Sequence, residues 1–97
     1  MLYELRRDLG LYNILMITEI VKLAKLALKN VDRAQVMALL DAVNLTKMER
    51  AIVQRTELDG ERLYDMAESY SLSLDSVSQI KRQALRKIGI YITQKLQ

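Results

Sequence analysis

The chain has 97 residues, with no cysteine, no histidine, no proline and only three glycines. Without cysteine there is no disulfide scaffold, thiolate metal site or cysteine nucleophile. Without histidine there is no imidazole metal site and no Ser-His-Asp triad. The missing cysteine leaves the redox compartment open. The missing proline and scarce glycine remove the residues that most often break helices. No stretch alternates apolar and polar residues, as a half-buried strand would, for more than a few positions. The expected fold class is all-α, a helical bundle.

Long apolar runs are also missing. The nearest, Leu11 to Leu28, is interrupted by Glu19, Lys22 and Lys25, which excludes an ordinary membrane span. The opening residues mix charge signs and lack the basic segment of a signal peptide, so a cytoplasmic, membrane-free protein is expected. What is present suits folding. Hydrophobic residues make up 51% of the chain, enough for one small domain or a compact domain with a helical extension.

The net charge of +3 is unevenly spread: residues 1–43 carry +1, 44–73 carry −2 and 74–97 carry +4. A positive last segment suits a polyanion-facing surface. It also suits a solvated helix end, where the macrodipole favours Lys and Arg.

Two segments are expected. Residues 1–43 form an N-terminal helical extension. Leu2, Leu5, Leu9, Tyr12, Met16, Leu23 and Leu26 follow a rough heptad, with Ile14, Ile17, Val21, Ala24 and Leu28 in a row beside it. A helix apolar over so much of its girth must be covered, by the rest of the chain, by a second copy or by a partner. Gly10 is a candidate break. Asn30 ends one helix and Asp32 caps the next, whose buried stripe is Val36, Leu39, Leu40 and Val43.

Residues 44–97 are more sharply punctuated. Thr46 and Glu49 form a capping box opening a helix that turns Met48, Ile52 and Val53 inward. Gly60 closes it with a positive φ. A short helix buries Leu63, Met66 and Ala67, and Ser73 caps a final helix beginning at Leu74. Glu57, Asp59 and Glu61 cluster near the loop, where capping and solvation account for them better than a cation does. Tyr64 and Tyr70 read as packing residues with solvated hydroxyls.

The last two helices have helix-turn-helix spacing. Ala67 supplies the small residue at closest approach, Leu72 plugs the turn, and Val77, Ile80, Ala84, Leu85 and Ile88 line the inner face of the second helix. Asp75, Ser76, Ser78, Gln79, Arg82, Gln83 and Arg86 are left outward or lateral. Short polar residues come first and longer basic ones later, as in a recognition helix whose first turns meet base edges and whose later turns meet phosphates.

From Leu45 to Ile88 the chain resembles region four of bacterial sigma factors, which binds the promoter −35 element. It also resembles the small region-four-like regulators of phages and mobile elements. Leu45, Thr46 and Glu49 match the opening of that pattern; Met66, Ala67 and Glu68 match its middle helix; Val77, Gln79, Ile80 and Ala84 to Ile88 match its ending. The resemblance implies a C-terminal helix-turn-helix that binds double-stranded DNA and docks on RNA polymerase. The chain departs from the pattern at Leu74, Asp75 and Ser76, where arginines are frequent, at Ser78, a further common arginine, and at Ser71, the usual turn glycine. Fewer bidentate arginines imply a different or weaker sequence preference.

The resulting expectation is a small DNA-binding transcription regulator with a recognition helix over about 74–89. Ser76 and Gln79, with Asp75, Ser78 and Arg82, would read bases; Lys81, Arg82, Arg86 and Lys87 would meet phosphates. One such module offers little contact area, so a homodimer through the N-terminal helices or a dock on polymerase would add to it. The alternative is a protein-interaction module, an adaptor or inhibitor, aimed at polymerase, a sigma factor or another regulator. No enzymatic constellation, cofactor or metal site is expected.

Overall fold

The computed structural model describes residues 18–95. The proposed break at Gly10 and the apolar positions before Thr18 lie outside them. Among the described residues five α-helices follow one another: α1 over 18–30, α2 Arg33–Ala42, α3 Lys47–Val53, α4 Leu63–Ser69 and α5 Leu74–Lys95. A π-helical turn, Gln54–Leu58, continues α3. The described residues contain no strand, and the fold is all-α.

The helix boundaries are set by local chemistry. Asn30 Nδ2 donates to the Leu26 carbonyl at the end of α1 (2.7 Å). Two residues on, Asp32 Oδ1 accepts the Gln35 N–H at 2.8 Å and caps α2. Thr46 and Glu49 form the reciprocal capping box of α3: Thr46 N–H donates to Glu49 Oε1 at 2.8 Å, and Glu49 N–H to Thr46 Oγ1 at 3.1 Å. Farther along, Thr56 Oγ1 donates to the Ile52 carbonyl (2.6 Å). A hydroxyl inserted into the ladder in this way accompanies the widened turn. That turn closes on Gly60 at φ 71°, a conformation that suits a residue without a Cβ.

Helix α4 ends in a Schellman motif. Leu72 N–H reaches back to the Ala67 carbonyl (2.9 Å) and Ser71 N–H to the Glu68 carbonyl (3.3 Å). The motif needs a left-handed residue between them, and Ser71 takes that place at φ 55°. The Leu72 side chain packs against the smaller apolar cluster, to which the small residue Ala67 belongs. Ser73 Oγ then accepts the Ser76 N–H at 3.1 Å and starts α5.

Two apolar clusters hold the helices. The larger joins Ala24 and Leu28 of α1, Val36 and Leu40 of α2, Val43, Val53 of α3, and Ala84, Leu85 and Ile88 of α5. The smaller joins Ile52, Met66, Ala67 and Val77, with Met48, Leu63, Tyr70, Leu72 and Ile80 against it. The larger cluster crosses the boundary at residue 43, so the described part of the N-terminal extension is built into one core with the rest. Of the two apolar rows on α1, the one carrying Val21, Ala24 and Leu28 faces this core, while Leu26 of the heptad row is 58% exposed.

Helix α1 reaches α5 at Gly89. That glycine is buried, and a Cβ there would collide with the Ile20 side chain and carbonyl. Gly89 therefore sets the closest approach of the two helices. From this crossing α5 continues to Lys95, six residues beyond the expected recognition segment.

Candidate nucleic-acid interface

Helix α5 is the longest described element, and its two sides differ. Val77, Ala84, Leu85, Ile88 and Gly89 are buried on one side. The opposite side carries Asp75, Gln79, Arg82 and Arg86, all exposed. Steps of four, three and four residues keep these four side chains on one stripe, which at 1.5 Å per residue is about 16 Å long. Gln83 lies beside it and shares a shallow depression with Gln79, Arg82 and Arg86. Among the described residues neither Arg82 nor Arg86 has an ion-pair partner. Their guanidinium groups remain available to an external anion.

The other expected contacts are placed differently. Lys81 turns towards the π-helical turn, where its Nζ lies 3.0 Å from Glu57 Oε1, the two side chains being 16% and 12% exposed. Lys87 turns towards α3, where its Nζ lies 2.8 Å from Glu49 Oε1. Each charge is neutralised inside the protein. Ser76 is half-buried, and its hydroxyl accepts from Ser73 Oγ at 2.9 Å as part of the N-terminal cap of α5. Ser78 is exposed and lines a cleft with Lys81, Arg82 and Leu85, closed on the far sides by Leu63 of α4 and by Val21 and Lys25 of α1.

No protein-family model, curated protein or solved structure matches this chain. The site is therefore read from its own geometry.

The two lysine pairs fix how α5 sits. Glu49 is nearly buried. Burial pushes its pKa up, but the Lys87 ammonium, the Thr46 N–H and the attraction of the Lys87 charge outweigh this and hold it below the ordinary carboxylate value. One carboxylate thus caps α3 and anchors α5. Nearby, Arg55 holds Glu61 through two hydrogen bonds of 2.8 and 2.9 Å and lies 5.8 Å from the centre of the Tyr70 ring. The Arg55 hydrogen bonds lower the Glu61 pKa, and the same bonds raise that of Arg55. The π-helical turn is in this way tied to the end of α4, immediately before the turn into α5.

The loop carboxylates are each committed to a cation: Glu57 to Lys81, Asp59 to Arg33 at 3.0 Å and Glu61 to Arg55. No group of three or more metal-ligating side chains occurs among the described residues, and no described helix is long and apolar enough to cross a membrane. Tyr70 is half-buried against the smaller core, as expected of a packing residue. Tyr64 is not one: it is 62% exposed on the outer side of α4.

Sequence reasoning passed over Lys25, which lines the same cleft as Ser78 and Arg82. The signal that marks it is the spacing of Lys22, Lys25 and Lys29. These recur along one edge of α1, away from the buried row of Ala24 and Leu28.

Proposed function

We propose that this protein is a small DNA-binding transcription regulator of the sigma-region-four-like kind. In this reading α4, the Tyr70–Ser73 turn and α5 act as a helix-turn-helix, and α5 enters the major groove of double-stranded DNA. The observation that carries the reading is the exposed Asp75–Gln79–Arg82–Arg86 stripe, whose two arginines have no internal partner among the described residues. In this reading Gln79 near the start of the helix pairs with adenine edges, while Arg82 and Arg86 farther along meet phosphate. Asp75 and Ser78 flank these contacts. Lys81, Lys87 and Ser76 take supporting roles, because their polar groups already hold α5 in place.

A single module of this size buries little DNA. A homodimer through the N-terminal helices, or a dock on RNA polymerase, would extend the contact. The second reading is a protein-interaction module whose target is polymerase, a sigma factor or another regulator. Leu74, 49% exposed at the first position of α5 and next to the anionic Asp75, favours it, since an apolar residue beside a carboxylate suits a protein surface better than a phosphate strand.

Equilibrium binding to mixed-sequence duplex DNA as a function of salt separates the two. The DNA reading expects measurable binding at low salt and a log–log salt slope that becomes shallower by about 1 for each phosphate contact removed by Arg82→Ala or Arg86→Ala. Absence of low-salt binding by the wild type leaves the protein-interaction reading.

A further inference from the structure

Two contacts set the sense in which α1 packs on α5. Ile20 meets α5 at Gly89. The next residue, Val21, and Lys25 a turn beyond it share a cleft with Leu85, Arg82, Lys81 and Ser78. Moving forward along α1 therefore moves backward along α5, towards the end that the DNA reading places in the groove.

The edge of α1 next to this cleft is cationic. Lys22, Lys25 and Lys29 are all exposed and follow i, i+3, i+7 spacing, so they form one ridge. Its one acidic neighbour among the described α1 residues is Glu19, 3.7 Å from Lys22, with both side chains largely in solvent; such a pair is weak and yields readily to another anion. Lys25 and Lys29 have no ion-pair partner among the described residues. Across the cleft stands Arg82, also unpaired, with the Ser78 hydroxyl beside it.

We propose that α1 is a second phosphate-binding element of the same interface. The Lys22–Lys25–Lys29 ridge follows the sugar-phosphate strand that borders the groove occupied by α5, and Lys25 and Arg82 grip that strand from the two sides of the cleft. The proposal rests on the DNA reading of α5. It assigns to α1 a role that neither its apolar rows nor the resemblance of residues 45–88 suggests. Helices packed side by side have axes 8–10 Å apart, and the major groove is about 12 Å wide. A helix flanking the one in the groove therefore lies over the groove's edge, where phosphates are. Lysine suits this duty as a flexible point charge without base selectivity.

The test is the salt dependence of binding to a mixed-sequence DNA duplex for four proteins: wild type, Lys25→Gln, the triple variant Lys22→Gln/Lys25→Gln/Lys29→Gln, and Lys47→Gln as a charge control. Lys47 is exposed at the start of α3 and does not line the cleft. The expected result is a salt slope shallower by about 0.9 for each ridge lysine that contacts a phosphate, with the same loss of affinity on different duplex sequences. The Lys47→Gln slope should stay unchanged, and so should thermal unfolding, since the ridge is solvent-facing. A wild type that binds while the triple variant keeps the full slope overturns the role of α1 and leaves the α5 reading standing. A Lys47→Gln effect as large as that of Lys25→Gln overturns it as well, by reducing it to diffuse net charge. A wild type that does not bind at low salt overturns both.

Discussion

Lys87 Nζ sits 2.8 Å from Glu49 Oε1, joining residues 38 apart in sequence. The same carboxylate oxygen accepts the Thr46 N–H that opens α3. Glu49→Gln keeps an acceptor for the cap but loses the charge that holds Lys87. A charge-assisted hydrogen bond of this type contributes about 1.5–3 kcal/mol, and Lys87 is partly solvated when released. The expected loss of stability in urea unfolding is therefore at the lower end of that range, about 1.5 kcal/mol. Thr46→Ala, which removes the other half of the box, should cost about 1 kcal/mol.

The same pair sets a pH dependence. The folded pKa of Glu49 lies below its unfolded value, about 4.3. Its contribution is thus fully present above that value, and it is lost as the pH falls through the lower, folded pKa. Urea midpoints measured across the acidic range should show wild type and Glu49→Gln converging as the pH drops. A constant gap between them would mean that the Glu49 charge does not contribute.

Gly89 decides whether α1 belongs where it is placed. In a solvent-exposed helix Gly→Ala is stabilising by about 1 kcal/mol. Here the new methyl meets the Ile20 carbonyl and side chain, so α1 must move. Overpacking of that kind costs about 1–3 kcal/mol, and Gly89→Ala is expected to lower the thermal midpoint. A rise would show that α1 does not rest on α5 at this point.

The two left-handed residues respond in opposite directions. Ser71→Gly removes the steric cost of a side chain at φ 55°, about 1–2 kcal/mol. The extra freedom glycine brings to the unfolded chain offsets part of this. A small net stabilisation is expected. Gly60→Ala meets no neighbouring atom but keeps φ 71°. It should be destabilising by about 1–2 kcal/mol through the backbone alone, with native-like helicity by circular dichroism.

Much of this was legible in the residues because it is local. Asp32, Thr46 with Glu49, Gly60 and Ser73 each act within about three or four positions, and chain order reveals such signals. The inner face of α5 was legible for a related reason: Val77, Ala84, Leu85 and Ile88 keep helical period. What stayed hidden depends on distance through space. Nothing in the order of residues indicates that Lys81 meets Glu57 or that Lys87 meets Glu49, and a lysine on a helix reads equally as a phosphate contact. The choice between the two apolar rows of α1 was likewise open until the packing of Val21, Ala24 and Leu28 against the larger core fixed which row turns inward. The π-helical turn at Gln54–Leu58 carries no periodic signature, and its nearest marker, the Thr56 hydroxyl bonded to Ile52, is an ordinary helix feature.

Lys81 gives a prediction that separates structure from binding. Its partner Glu57 is as deeply set as Lys81 itself, so Lys81→Ala leaves a carboxylate without its cation and should cost about 1–3 kcal/mol. Because its charge is already spent internally, the salt slope of DNA binding should not change, provided the variant is assayed well below its melting temperature. A shallower slope for Lys81→Ala would return Lys81 to the contact surface.

The central claim is that the exposed arginines of α5 meet DNA. The most direct measurement is the salt dependence of duplex binding for wild type against Arg82→Gln/Arg86→Gln, two solvent-facing changes that leave both core clusters intact. The account predicts wild-type binding at low salt and a double-variant slope shallower by about 2. No wild-type binding at low salt, or an unchanged slope in the double variant, would contradict it.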